Sequence, residues 1–173
     1  MIIWLNGTFG AGKTTTSAQL SGLLPDARVF DSEHVGFMLR HVLAEAVPVR
    51  DFQEWPPWRA LTVASLTQLH GYLGGTLIVP QTVLVEVYWR EIADGLDRAG
   101  LPVRHFVLHT DPAELTRRIE QDTVETGARQ WRLDHLEEYR KALPWLRAAG
   151  TVVDTTAAPP REVARRVAEL TRP

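Results

Sequence analysis

Gly7, Gly12, Lys13 and Thr14 stand in the order G-x-x-x-x-G-K-T within residues 6–20, "NGTFGAGKTTTSAQL". This spacing suits the cradling of a nucleotide phosphate. Glycines let the backbone curl until successive N–H groups face one anion, and a helix opening at the loop adds partial positive charge. In this reading Gly7, Thr8, Phe9, Gly10, Ala11 and Gly12 wrap the phosphates of a nucleotide. Lys13 reaches the β- and γ-phosphate oxygens, the Thr14 hydroxyl ligates Mg2+, and Thr15 reaches the α-phosphate. Of the 19 basic residues only Lys13 and Lys141 are lysines. A compact ammonium fits between phosphate oxygens where a planar guanidinium fits less well. With this chain's own residue usage, the four fixed positions would coincide by chance roughly once in a thousand such chains. The alternative is a plain strand-to-helix turn.

A second group of candidates follows the loop. "VFDSEH" carries Asp31 and Glu33. A carboxylate at the end of a neighbouring strand can take the proton of an acceptor hydroxyl or hold Mg2+ through water, so Asp31 is the expected catalytic and metal-side acid. Helix capping is the competing role for Asp31, and Ser32 is expected to relieve it of that duty. Glu33 reads as a first-turn dipole partner. "TLIVPQT" ends on Gln81, where a hydrolytic motor or switch would place an aspartate, and no N-K-x-D guanine motif occurs. Residues 112–142 supply Arg117, Arg118, Arg129 and Arg132 around an expected helix break near Gly127. Arginines on such a lid can close over the nucleotide and stabilise charge on the transferred phosphoryl, although any single one also suits a solvated helix face. Residues 32–72 carry Phe37, Arg40, Asp51, Phe52, Gln53, Trp55, Trp58 and Arg59. Their aromatic rings either stack on a flat or sugar-like acceptor or fill the core beside the sheet. Phe37, Arg40, Trp55, Trp58, Arg59 and Gln81 form the expected acceptor set. "DTTAAPP" either packs on adenine or makes a plain turn.

These residues need a scaffold, and the pattern of the chain supplies one. "MIIWL" is a short apolar, β-rich run ahead of the loop, and "TTTSAQLSGLL" continues as a helix that Pro25 stops. Further apolar runs at "ARVFD", "GTLIVPQTV", "LPVRHFVLHTD" and "GTVVDTT" alternate with helical patterns through to "PREVARRVAELTR". Alternation of this kind predicts an α/β fold, a parallel sheet with helices on both faces. Ligands of such sheets bind beyond the carboxyl ends of the strands, where the polar candidates converge. The 173 residues suit one domain, and a net charge of −2 with a pI near 6.3 gives no nucleic-acid footprint. There is no cysteine, and hence no disulfide or thiolate metal site. The six histidines show no metal spacing. No apolar run nears the ~18 residues of a membrane span, and no leader precedes the first strand, so a cytoplasmic protein, monomer or homodimer, is expected.

Four blocks together, "MIIWLNGTFGAGKTTT", "GFMLR", "DFQEWPPWRAL" and "LIVPQT", resemble the bacterial tunicamycin-resistance ATP-binding proteins over residues 1 to about 120. The "DFQ…P.WRA" block is the more specific part. The chain resembles more loosely chloramphenicol phosphotransferase, gluconate kinase, shikimate kinase and adenylate kinase. The resemblance implies a P-loop NTPase domain of three α/β/α layers, a five-stranded parallel sheet ordered 2-3-1-4-5, and a lid after the fourth strand. It carries the acceptor-base role of the kinases onto Asp31. It also implies ATP and a uridine-like ligand. Three functions follow: an ATP-dependent small-molecule kinase, acting on a nucleoside-like antibiotic or another hydroxyl-bearing metabolite; a non-catalytic protein that sequesters ATP and drug; and an NTPase adapter for a protein partner. The aromatic residues of the acceptor segment favour a small ligand over a protein, and the missing aspartate after "LIVP" disfavours the adapter.

Overall fold

The middle strand begins the chain. β1 (Ile2–Asn6) is buried along its whole length, which suits a strand covered on both faces. The structure, a computed structural model, describes residues 1–123, 127 and 129–172. After β1 come α1 (Lys13–Ser21), β2 (Ala27–Val29), α2 (Glu33–Leu43), a one-turn 3-10 helix (Phe52–Glu54) and α3 (Pro56–Leu73). They are followed by β3 (Thr76–Pro80), α4 (Glu86–Arg98), β4 (Val103–His109), α5 (Pro112–Gln121), α6 (Arg129–Ala149), β5 (Thr151–Asp154) and α7 (Pro160–Thr171). All strand pairs are parallel, in the order β2-β3-β1-β4-β5.

Alternate residues of β1 serve two cores. Ile3 and Leu5 pack with Leu20 of α1, Tyr139 and Leu146 of α6, and Val163 and Val167 of α7. Ile2 and Trp4 pack with Val35 of α2, Trp58 and Leu66 of α3, and Trp89 and Ile92 of α4. Trp145 of α6 touches both clusters, and its indole N–H donates to Leu84 O at 3.2 Å.

Three boundaries differ from the expected ones. β2 stops at Val29, because Asp31 and Ser32 already turn the chain into α2. α1 ends at Ser21 with Gly22 as its cap, short of Pro25. α6 runs through Pro144 to Ala149. Tyr139, Ala142 and Leu146 are buried on either side of that proline, and their packing outweighs the main-chain bond that proline removes. The helical pattern of residues 112–142 is interrupted after Gln121, as the glycine suggested; residues 124–126 and 128 of the expected lid lie outside the described residues. Among the described residues no helix is long and apolar enough to cross a membrane.

Candidate active site

The loop between β1 and α1 is pinned from below. Asn6, wholly buried, accepts the Gly7 N–H at 2.8 Å and the Val83 N–H at 2.9 Å on one oxygen, and donates to Val83 O at 2.9 Å. Thr82 Oγ1 donates to Gly7 O at 2.7 Å. Gly7, Gly10 and Gly12 take φ of 136°, 78° and 87°, a left-handed region that disfavours side chains. Gly7 is the tightest, since a Cβ there would lie 2.5 Å from Leu108 O. Gly12 ends the loop and caps α1, whose amide end faces the site.

Lys13 is partly buried and donates to Gly7 O at 3.1 Å and Thr8 O at 2.9 Å. Burial lowers its pKa to about 8; Glu33 opposes that shift and Arg132 adds to it. The Thr8 hydroxyl is buried and has no hydrogen-bond partner among the described residues.

A cavity of about 1250 Å³ opens beside this loop. Gly10, Gly12, Lys13, Thr14 and Thr15 line one end, and Asp31, Glu33, Phe37 and Arg40 come from the start of α2 and its first turns. Asp51, Phe52 and Gln53 join from the 3-10 helix, and Trp131, Arg132 and His135 from α6. Burial raises the Glu33 pKa, and repulsion from Asp31 adds to it, while Lys13 pulls it back. Burial likewise raises Asp51, against the Gln53 N–H that bonds its carboxylate.

The expected site residues divide sharply. Gly10, Gly12, Lys13, Thr14, Thr15, Asp31, Phe37, Arg40 and Gln81 line the cavity, and Phe9 covers the loop. Trp55, Trp58 and Arg59 do not line it. Trp58 is fully buried and donates to Ser32 O at 3.0 Å; Trp55 is 3% exposed and donates to Val47 O at 2.8 Å. Arg59 is spent within the protein, paired with Glu91 at 2.5 Å, bonded to Gln53 O and stacked 4.2 Å over the Tyr88 ring. These three build the wall behind the acceptor segment rather than its surface. Gln81 is also committed, accepting from Ser32 Oγ at 2.9 Å and donating to Thr82 O at 3.2 Å. Ser32 therefore does not cap α2. Asp31 does part of that work, accepting the Glu33 N–H at 2.9 Å.

The arginines also separate. Arg117 is held by Glu114 and Gln121 on the outside of α5, away from the cavity. Arg118 braces the loop, reaching Gly10 O at 3.2 Å, Thr155 O at 2.7 Å and Thr156 O at 3.0 Å. Arg129 is exposed, with Asp122 O at 3.4 Å, and does not line the cavity. Arg132 does, paired with Asp122 at 2.6 Å and set 5.9 Å from the Phe9 ring.

Sequence reading missed the partners of Phe9. Its ring meets Trp131 at 4.7 Å and His135 at 5.4 Å between centroids, which joins the phosphate loop to α6. The i, i+4 spacing of Trp131 and His135 was the available signal, since it puts both rings on one helix face. Gln53 and Thr82 were missed as the struts beneath the loop, because their partners are main-chain atoms distant in sequence.

The residues fit a nucleotide with its metal. The loop supplies main-chain N–H groups, an ammonium, the exposed Thr14 hydroxyl and the orphaned Thr8 hydroxyl, and Asp31 stands across the cavity. Among the described residues no three His, Cys, Asp or Glu groups could hold a metal ion alone. Mg2+ would therefore rest on Thr14, phosphate oxygens and water, with Asp31 behind the water.

A phosphate loop at the carboxyl end of the middle strand, in an all-parallel sheet ordered 2-3-1-4-5, defines a P-loop kinase-like α/β fold. A family model described as an AAA domain matches residues 2–146, and the chain belongs to that family of P-loop kinase-like domains. Among solved structures it is similar to the tunicamycin resistance protein of Deinococcus radiodurans, at 30% identity and a TM-score of 0.73, with 98% of this chain and 94% of that one covered. It also has the fold of a sugar kinase from Janibacter sp. HTCC2649, at 16% identity and a TM-score of 0.70, covering 97% and 92%. A shikimate kinase from Acinetobacter baumannii in complex with shikimate shares it too, at 19% identity and a TM-score of 0.64, covering 98% and 91%. No curated protein sequence matches the chain.

Proposed function

We propose that the protein transfers the γ-phosphoryl group of ATP to a hydroxyl of a small molecule held between the phosphate loop and the Phe37–Phe52 side of the cavity. One observation carries this reading: the P-loop lysine and a carboxylate from the first turn of α2, Glu33, share one cavity and one field. The loop amides bind and orient the phosphates, and Lys13 exchanges its two carbonyl partners for β- and γ-oxygens. Thr14 and Asp31 would hold Mg2+, which when bound would supply charge neutralisation. Glu33, its pKa raised toward that of a working base, accepts the acceptor's proton. The hydroxyl oxygen bonds to the γ-phosphorus, the bond to the β-bridging oxygen breaks, and ADP leaves. Arg132 stands on the lid side, placed to steady the transferred charge. The base role expected on Asp31 is thus assigned to Glu33, since Asp31 already accepts a main-chain N–H while Glu33 and Lys13 act on each other.

Similarity to the tunicamycin resistance protein makes tunicamycin, or a uridine-sugar part of it, the acceptor to try first. The reading places the protein in the cytoplasm, where ATP is plentiful. The test is ADP release by purified protein from ATP and Mg2+, with tunicamycin, uridine and simple sugars offered in turn and Lys13→Ala as control. Acceptor-dependent release supports transfer. Saturable tunicamycin binding without release supports the sequestering protein instead.

A further inference from the structure

The cavity separates charge by segment. Its phosphate end carries Lys13 and, from α6, Arg132 with its partner Asp122. Its acceptor side carries carboxylates from two segments remote in sequence, Asp31 and Glu33 at α2 and Asp51 ahead of the 3-10 helix. All three carboxylates line the one cavity. Arg40 and Arg50 also line the acceptor side, Arg40 5.8 Å from the Phe37 ring and Arg50 3.9 Å from Glu138, but the carboxylates there outnumber them; Lys141 pairs with Glu137 at 3.6 Å.

Asp51 is also fixed to the phosphate loop. Its Oδ1 accepts the Gln53 N–H at 2.9 Å, Gln53 Nε2 donates to Thr82 O at 2.8 Å, and the Thr82 hydroxyl donates to Gly7 O. Gln53 and Thr82 are buried, so this relay is shielded from water. Asp51 is thereby tied to the phosphate loop through buried hydrogen bonds.

We propose that Asp51, acting with Glu33, selects the acceptor by charge: the site takes a neutral or amino-bearing polyol and refuses one that carries a carboxylate or phosphate. The inference rests on the phosphotransferase reading above. An ionised carboxylate only accepts hydrogen bonds. A polyol hydroxyl donates to Glu33 as the reacting group while its neighbour donates to Asp51. An anionic acceptor brings like charge against both walls, and at the separations found inside one cavity such a pair weakens binding by about tenfold or more.

The test is calorimetry on protein loaded with a non-hydrolysable ATP analogue and Mg2+. Two matched sets serve as probes: glucose, glucosamine and glucuronate, then uridine and uridine monophosphate. The neutral and amino members are expected to bind at least about tenfold more tightly than the acids. Asp51→Asn should shrink that ratio about tenfold and leave analogue affinity as it was. Asparagine is itself a favoured cap, and Asp51→Ser offers a second uncharged one if the first variant folds poorly. Tighter binding of an acid, an unchanged ratio in both variants, or no binding of any member by protein that holds the analogue would each overturn the proposal. Neutral preference in binding together with no ADP release from ATP for any member would leave charge selection standing and remove the transfer reading.

Discussion

Lys13 Nζ lies 3.1 Å from the carbonyl oxygen of Gly7, the atom that also accepts the Thr82 hydroxyl at 2.7 Å. The ammonium rests on main-chain oxygens, and burial has lowered its pKa to about 8. When the lysine turns to a phosphate, Thr82 keeps Gly7 O satisfied and the Ala11 N–H, at 3.4 Å, keeps Thr8 O, so the exchange leaves neither carbonyl without a partner.

Nucleotide binding should therefore take up protons in mildly alkaline solution. Below the folded pKa of about 8 the empty protein already carries the charged lysine; above it the lysine is neutral, and phosphate oxygens restore the proton. Affinity for ATP and Mg2+ should fall by up to about tenfold per pH unit above 8. Calorimetry in buffers of different ionisation enthalpy should show uptake near pH 9 and little near pH 6.5. Lys13→Ala should lose the pH dependence together with about a hundredfold or more of affinity. A pH-independent affinity in the unmodified protein would put the lysine away from the phosphates.

Glu33→Gln should lower kcat by roughly 10² to 10⁴ and leave nucleotide affinity within a few-fold, as loss of a positioned base does. Asp31→Asn should instead raise the Mg2+ concentration needed for half-maximal rate, with a smaller loss at saturating metal. Steady-state rates across a magnesium titration separate the two. The reverse pattern would return the base to Asp31.

Trp58→Ala should act on stability. The side chain is fully buried and its N–H satisfies Ser32 O, so the loss is about 3–5 kcal/mol, read as a lower midpoint of urea unfolding. Trp58→Phe should recover most of it. If either folded variant lost ligand affinity without losing stability, the indole would belong to the acceptor surface after all.

Gly7→Ala should distort or unfold the loop, because the new Cβ would meet Leu108 O at 2.5 Å on a backbone with φ of 136°. A lower melting temperature accompanied by loss of nucleotide binding is the expected result. Gly12→Ala meets nothing nearer than Thr16 Oγ1 at 4.0 Å and should cost less stability.

Much of this was readable from local pattern. The phosphate loop and the alternation of strands and helices show in runs of a dozen residues, because main-chain geometry and burial write themselves into nearby positions. The acceptor segment did not read out in the same way. Trp55, Trp58 and Arg59 have the chemistry of ligand contacts, yet helix α3 turns them inward against Ser32, Val47, Glu91 and Tyr88. The choice between stacking on a ligand and filling a core depends on partners far away in sequence. The same holds for Ser32, whose hydroxyl was expected at the helix end and instead supports Gln81 from another strand. A proline inside a helix ordinarily breaks it, but buried neighbours on both sides of Pro144 carry α6 through.

The position of β1 has a consequence for how the molecule comes into being. Its partners are β3 and β4, and Ile2–Asn6 pair in register with Val103–Val107. On the ribosome the phosphate loop is therefore made well before β4, the strand that completes its surroundings. Until β4 emerges, Leu108 is not there to receive Gly7, and the apolar run Ile2–Asn6 has one edge unsatisfied. Long-range parallel pairing of this kind slows folding and leaves a nascent strand open to wrong partners. A nascent chain thus cannot shape its nucleotide site until β4 has emerged, which delays ligand-assisted folding to that point.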